Sequence, residues 1–162
     1  GVKRSGAQDA TMTMAGISAQ KIRYLDILLV EPWVITLGPQ SGLPLQSSMD
    51  VKVANPLCFM VQKFLIQENR PAGKRAQDVL YIYDTVELFG ALLDEFHATW
   101  KKSISPALGE KLSNTVLKLS QNTFSSANDI IRGAALIPQD RKLSPEQIQQ
   151  TCQLAFEQIL NT

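Results

Sequence analysis

The sequence has few of the residues that mark zinc, disulfide-rich or secreted proteins. It contains two cysteines, Cys58 and Cys152, and one histidine, His97, so it has no cysteine–histidine pattern for a zinc site. Both cysteines lie in apolar helical patterns far apart in the chain. We expect them to be buried free thiols in a reducing cytoplasm, although sequence alone leaves a disulfide open because it does not give their separation.

Long apolar runs and an excess of one charge are also missing. The formal net charge is +1, which excludes a protein that binds nucleic acid mainly through basic charge. No apolar run approaches the roughly 18 residues that span a bilayer. The longest candidate, residues 22–37, is interrupted by Arg23, Asp26, Glu31 and Pro32. The first residues carry no apolar stretch of a secretory signal, so we expect no membrane association and a cytoplasmic location.

The composition is that of a globular protein, because 44% of the 162 residues are hydrophobic. Residues 21–38 have β character, and in the part up to Val30 both sides of the alternation are apolar. This pattern predicts an interior strand covered on both faces. Pro32 interrupts it, residues 33–37 resume it, and residues 49–54 form a further short strand.

After the strands the pattern becomes helical. Asn55 and Pro56 are a cap and a first-turn residue, and Ser144 and Pro145 repeat that start signal near the end. The sequence therefore predicts an α+β fold in which a small sheet of about three strands precedes a bundle of four or five helices. The predicted helices after the first cover about 74–101, 106–121, 123–136 and 145–160. The predicted parts are a flexible or partial segment (1–20), a β portion (21–54) and a helical domain (55–162).

Asp26 is the first residue that could carry chemistry. A carboxylate on the apolar face of an interior strand is costly unless it is paired, hydrogen-bonded or bound to a metal. Arg23, Lys21 or a backbone group could satisfy it. Alternatively, it could ligate a hard cation such as Mg²⁺.

Lys63 and the charges that follow it are the second group. Lys63 lies in a helix that is apolar on most sides, so its ammonium either reaches solvent or needs an anion, such as a phosphate or Asp26. Lys74 and Asp78 are four residues apart at a helix start and could form an ion pair. However, Lys74 and Arg75 oppose the helix dipole there, which an anion docking at the same place would explain.

Two stretches resemble a known family. "YLDILLV" (24–30) followed by "VANPLCFMVQKFLIQENRPAGKRAQDVLYIYDTVELF" (53–89) resembles the C-terminal part of nucleotidyltransferase-fold proteins. The similar groups are the bacterial nucleotidyltransferase-like proteins and the toxin-like proteins of abortive-infection, type IV toxin–antitoxin systems. In those families a β-hairpin is followed by a segment with five characteristic residues, in the order proline, lysine, arginine, lysine and aspartate. The corresponding residues here are Pro56, Lys63, Arg70, Lys74 and Asp78.

The resemblance implies roles for these residues. Asp26 would be a catalytic carboxylate and a ligand of Mg²⁺, and Lys63 would be catalytic. Arg70, Lys74 and Asp78 would bind the nucleoside triphosphate. The Gly-Ser turn and the Asp-x-Asp motif of the fold are absent from this sequence, so two of the three expected metal ligands are missing. Either they lie upstream in a longer protein, or this chain cannot perform two-metal nucleotidyl transfer alone.

Two functions follow as expectations. The first is that the chain is the C-terminal part of a nucleotidyltransferase that transfers a nucleotidyl group from Mg-NTP to an unidentified acceptor. The second is a non-catalytic α+β and helical module that contacts a protein partner or a second copy of itself, for example in a toxin–antitoxin system. They differ in whether Asp26, Lys63 and Lys74 share one open cleft.

Overall fold

A computed structural model describes residues 11–14, 17–20, 23–67 and 70–161, the first two ranges by their backbone only. Apart from one helical turn at Leu25–Leu28, strands come first and helices follow, which confirms the predicted α+β class. The strands form two antiparallel hairpins, in which β1 pairs with β2 and β3 with β4. Their bounds are Thr11–Met14 (β1), Ile17–Gln20 (β2), Trp33–Leu37 (β3) and Met49–Val53 (β4).

The β3–β4 hairpin confirms the predicted strands at 33–37 and 49–54. Trp33 pairs with Val53 and Leu37 with Met49, so alternate residues of both strands share one apolar face. The Trp33 ring packs edge-on against Phe89, with ring centroids 5.4 Å apart. This contact attaches the hairpin to the helices.

The predicted interior strand up to Val30 is wrong in the described residues. Leu25–Leu28 is one helical turn, α1, between Tyr24 and Glu31, which both have left-handed backbone angles with φ of 55° and 45°. A continuous strand cannot pass through such residues. Only Ile27 of this turn is buried. A short apolar run fits a strand and a helical turn equally well, and here packing on the next helix selects the turn.

The helices account for most of the remaining chain. They are α2 (Pro56–Ile66), α3 (Ala72–Phe89), α4 (Leu93–Thr99), α5 (Ser105–Phe124), α6 (Asp129–Ala135) and α7 (Pro145–Leu160). The two predicted caps are confirmed. The Asn55 side chain accepts the Leu57 N–H at 2.8 Å, and the Ser144 hydroxyl accepts the Gln147 N–H at 3.2 Å.

Two helix predictions have wrong bounds. The continuous helix over 74–101 is divided, because α3 ends at Phe89 and a 3₁₀ turn at Gly90–Leu92 leads into α4, which continues as a π-helix at Trp100–Ile104. The helix over 123–136 begins only at Asp129. Asn128 caps that start by accepting two backbone N–H groups at 3.1 Å, and residues to Phe124 belong to α5.

The core is built around α2. Its Leu57, Met60, Val61 and Phe64 have no exposed surface. Three aromatic rings join this helix to the C-terminal helices, because the Phe64 centroid lies 6.1 Å and 4.9 Å from those of Phe124 and Phe156. Helices 2, 5 and 7 therefore share one hydrophobic centre.

The thiols and the histidine make their contacts within the fold. Cys58 and Cys152 are buried and free, as predicted. Burial, with a smaller effect of the Glu31 charge, raises the pKa of the Cys58 thiol to about 11, so it stays protonated at neutral pH. His97 places Nδ1 3.1 Å from the Ile159 carbonyl oxygen, a contact that ties α4 to α7.

The described helices include none whose length and hydropathy would let it cross a bilayer. The cytoplasmic location stays a prediction, as does the division into three parts. Of the predicted flexible or partial segment (1–20), residues 1–10 lie outside the described residues. Strands β1 and β2 occupy part of the rest, where the sequence pattern indicated no strand.

Candidate functional site

A buried carboxylate is the centre of the charged stretch around α2 and α3. The side chain of Asp78 is only 2% exposed, and burying a charge there requires cationic partners. Lys63 Nζ lies 2.9 Å from Asp78 Oδ1, and Arg70 Nε lies 3.1 Å from Oδ2. The structure thus joins three of the predicted site residues in one contact.

The positions of these three residues follow from how α2 and α3 pack. Lys63 lies in the last turn of α2, Arg70 in the connection, and Asp78 in the second turn of α3. Ala76, Val79 and Leu80 are buried around Asp78, so this carboxylate lies on the face of α3 that meets the core. The chain therefore reverses direction between Lys63 and Asp78 and brings them together across the helix pair.

Two aromatic rings enclose the Lys63 ammonium. Its Nζ lies 5.0 Å from the centroid of the Phe59 ring and 5.3 Å from that of Tyr81. Both separations are within the range of attractive cation–π contacts. The Lys63 side chain is 12% exposed, so it is held between these rings and Asp78 and does not extend freely into water.

Arg70 is held less completely than Lys63. Its Nε is close to Asp78 Oδ2, yet that buried oxygen receives no hydrogen bond of acceptable geometry within the described structure. The contact is therefore ionic without a well-directed N–H. The side chain is 34% exposed, and the close contact with Asp78 runs through Nε, which is not one of its two terminal nitrogens. Arg70 therefore presents charge at the surface while Asp78 fixes its position.

The expected pairing of Lys74 with Asp78 is wrong. Lys74 is exposed, and its Nζ donates to Gln77 Oε1 at 3.0 Å. Gln77 Nε2 in turn donates to the Tyr81 hydroxyl at 2.7 Å. Asp78 is instead buried against α2, where Lys63 and Arg70 already provide two cations. Lys74 is thus connected to the cluster through Gln77 and Tyr81.

Asp26 does not have the setting expected of it. It is exposed on α1, because the segment is a helical turn and not an interior strand. A solvated carboxylate needs no compensating partner, so the desolvation argument for a metal at this position no longer holds. Its role as a metal ligand or catalytic residue stays a prediction.

We call the connected surface on α2 and α3 the cation face. It consists of Phe59, Lys63, Arg70, Lys74, Gln77, Asp78 and Tyr81. Among these side chains three are cationic and one is anionic, an excess of two positive charges. Such a surface can bind an anion of more than one charge, and Arg is suited to phosphate because its planar group donates in parallel.

Three members of the cation face had no assigned role in the sequence interpretation: Phe59, Gln77 and Tyr81. Helical spacing could have found them. Phe59 precedes Lys63 by four residues, and Tyr81 follows Gln77 by four, so each pair lies on one side of its helix. The missing information was which sides of α2 and α3 face each other.

Two clefts elsewhere do not contain the predicted residues. One lies between α5 and α7 and includes Ser120, Gln121, Gln153 and Glu157. The other lies between α3 and α7 and includes Glu87, Leu93 and Leu154. Neither cleft is lined by Asp26, Lys63 or Lys74, so neither is the common cleft that was expected for these residues. The cation face lies on the surface and outside both clefts.

A metal centre is not formed by the described part of the chain. No group of three His, Cys, Asp or Glu side chains lies close enough there to hold an ion. Asp26 alone offers one carboxylate to solvent, which does not fit the several oxygen ligands that hold Mg²⁺.

Comparison with known proteins gives one match. A family model described as "Nucleotidyltransferase" matches residues 2–105, which is more than half of the chain and contains the whole cation face. No curated protein and no solved structure matches the chain significantly. The family generally uses a divalent metal and a nucleoside triphosphate, and its activity is nucleotidyl transfer in general. The sequence resemblance is thereby confirmed, and the chain belongs to the nucleotidyltransferase family.

Proposed function

We propose that the chain takes part in transfer of a nucleotidyl group from Mg-NTP to an acceptor, with the triphosphate bound on the cation face. The observation that carries this proposal is the contact of Lys63 and Arg70 with the buried Asp78. A buried carboxylate with two cations adds little to stability over an apolar packing of equal volume. Its use here is to hold cations in place for a ligand of opposite charge.

The members of the cation face divide the work. Asp78 neutralises one charge and fixes the positions of Lys63 and Arg70. Arg70, through its terminal nitrogens, and the exposed Lys74 bind the phosphate oxygens. Lys63 contributes its charge from below the surface, between the two aromatic rings. In the transfer, the oxygen of an acceptor hydroxyl gives up its proton to water and bonds to the α-phosphorus as the bond to pyrophosphate breaks, and these cations stabilise the charge on pyrophosphate.

Asp26 enters as a proposed ligand of the metal that accompanies the triphosphate. Its support is its exposed carboxylate, in a segment whose sequence resembles the family's metal-site segment although it forms a helical turn here. The described residues form no cluster of metal ligands, so the remaining ligands of the metal would have to come from elsewhere. The metal would supply charge neutralisation at the phosphates when bound.

The test is an equilibrium titration of Mg-ATP and Mg-tripolyphosphate into the wild-type chain and Arg70→Gln. Arg70→Gln should weaken both by about tenfold or more, since a hydrogen bond to a charged group contributes about 1.5–3 kcal/mol. Arg141→Gln is the matched control, because Arg141 also pairs with an α3 aspartate, Asp84, at an exposed position. It should bind within about twofold of wild type.

Two results would overturn the proposal. One is a wild-type chain that binds neither compound, and the other is an Arg70→Gln variant that binds as tightly as Arg141→Gln. A loss of affinity with rising salt is also expected, because the bound charges are partly exposed.

A non-catalytic interaction module is the second candidate. The observation that favours it is the exposure of large apolar side chains on α3 and α7, with Leu88 at 78% and Leu154 at 66%, the latter lining the cleft between these helices. Such a surface suits a protein partner or a second copy of the chain. Light scattering tests whether a second copy binds at this surface. A wild-type chain that stays monomeric at high concentration, with the same mass as Leu154→Ser, would contradict this candidate.

A further inference from the structure

The proposed function gives no separate role to the exposed aromatic ring on the cation face. Tyr81 is 40% exposed although its ring also contacts the Lys63 ammonium, so part of the ring surface is left to solvent. The face thus offers an aromatic surface beside several cations. That combination matches the two chemical parts of a nucleotide, a flat base and a charged phosphate chain.

The Tyr81 ring is held in a fixed orientation. Gln77 Nε2 donates to its hydroxyl at 2.7 Å, and Gln77 Oε1 accepts from Lys74 at 3.0 Å. The ring therefore has a partner at its hydroxyl end and a cation at 5.3 Å from its centroid. A ring held at both places loses little conformational freedom when a ligand stacks on it.

The spacing on α3 suits an extended nucleotide. Lys74 and Tyr81 are seven residues apart, which is about 10 Å along a helix that rises 1.5 Å per residue. This separation is comparable with that between the base and the outer phosphates of a nucleoside triphosphate. Lys74 and Arg70 would then contact phosphates while the base lies on Tyr81.

We propose that Tyr81 is the platform on which the nucleobase stacks. This inference rests on the proposed function. Stacking uses the face of the base, which all four bases have, so the site should accept any nucleoside triphosphate with little preference. Gln77, whose amide already bonds Lys74 and Tyr81, is held by contacts within the chain and is not directed at a base edge.

The test compares Mg-ATP, Mg-GTP, Mg-CTP and Mg-UTP with Mg-tripolyphosphate, which carries no base. Wild type should bind the four nucleotides within about tenfold of one another, and each more tightly than tripolyphosphate. Tyr81→Leu should weaken nucleotides by about tenfold or more while leaving tripolyphosphate within about twofold, because base stacking is typically about 1–3 kcal/mol. Tyr81→Phe keeps the ring and should stay within about threefold for nucleotides.

Each alternative result has its own meaning. If tripolyphosphate binds as tightly as every nucleotide in wild type, the stacking inference is wrong while the phosphate site stands. If Tyr81→Leu weakens tripolyphosphate as much as ATP, Tyr81 only supports Lys63. If one nucleotide binds far more tightly than the other three, the site recognises the hydrogen-bonding edge of that base, and the inference of stacking without base preference is wrong. If wild type binds none of the compounds, the proposed function itself fails. Retained tripolyphosphate binding also shows that a variant is folded.

Discussion

The α2–α3 pair and the α5–α7 pair bury polar groups in different ways. Between α2 and α3 the buried group is an ionised carboxylate, Asp78, with two cations beside it. Around α5 and α7 the polar contacts are neutral donors: Gln149 donates to the Phe124 carbonyl at 2.7 Å, and the Ser120 hydroxyl to the Leu117 carbonyl at 2.9 Å. Only the first pair lies wholly within the part that matches the family.

The difference concerns what each arrangement can do besides hold the fold. A neutral amide or hydroxyl whose bond is made within the chain is satisfied and has little attraction for an ion. A buried carboxylate with two cations leaves a positive excess at the surface, at a cost in desolvation. The charged pair of helices is therefore suited to bind an anion, and the neutral pair to stabilise the core.

The largest effect expected on stability lies in the neutral region. Phe156 is 4% exposed, and its ring contacts those of Phe64 and Phe124. Phe156→Ala should lower the free energy of unfolding by about 3–5 kcal/mol through lost burial and a cavity, measured by urea unfolding. At temperatures where the variant is folded, its affinity for tripolyphosphate should not change. A folded Phe156→Ala variant that no longer binds tripolyphosphate would show that the two regions do not have separate roles.

Asp78→Asn in the charged region should cause a smaller loss of stability. It should also abolish tripolyphosphate binding, because Asp78 no longer fixes the positions of Lys63 and Arg70. Asp78→Asn leaves Lys63 only 12% exposed and without its counter-charge, which should cost about 3 kcal/mol in urea unfolding. Asp84→Asn is the matched control on the same helix. Its ion pair with Arg141 is solvent-exposed and screened by water, so its loss should lower the free energy of unfolding much less than Asp78→Asn does.

A double variant sharpens this result. Lys63→Met with Asp78→Leu removes both charges from the interior and should recover most of the stability, since well-packed apolar residues often equal a buried ion pair. Tripolyphosphate binding should remain lost. If the double variant bound normally, the charges would not be kept for a ligand.

The last prediction concerns the backbone of the second region, within α5. Gly109 has φ of 73° and ψ of 165° within α5, a conformation that is essentially limited to glycine. Gly109→Ala should cost about 1–3 kcal/mol in the same unfolding experiment. Gly90→Ala, at a helical φ of −57°, should instead be neutral or stabilising by up to about 1 kcal/mol. Equal effects at both positions would contradict the backbone explanation.

Much of the fold could be predicted because the signals were local. Asn55-Pro56 and Ser144-Pro145 mark helix starts through bonds within three residues, and both caps form as expected. Residues 22–30 misled because an apolar run without clear periodicity fits two structures. The left-handed angles at Tyr24 and Glu31 belong to the way α1 packs on α2, where Gln62 bonds the Arg23 carbonyl at 3.0 Å.

The candidate site was predicted in part. Lys63, Arg70 and Asp78 were selected from the sequence and do meet, but the expected partner of Asp78 was Lys74, four residues before it on the same helix. Spacing along one helix gives neighbours on that helix only. Which side of α3 faces α2 depends on the core, and it placed Asp78 inward and Lys74 in water.

The sequence by itself determined the order of strands and helices, the helix caps and the family, because these depend on neighbouring residues and on motifs read along the chain. The tertiary structure alone decided that Asp78 joins Lys63 and Arg70, that Tyr81 lies over Lys63, and that Asp26 is exposed. These contacts depend on the angle and register at which α2 and α3 pack, and many dispersed apolar contacts set that geometry together.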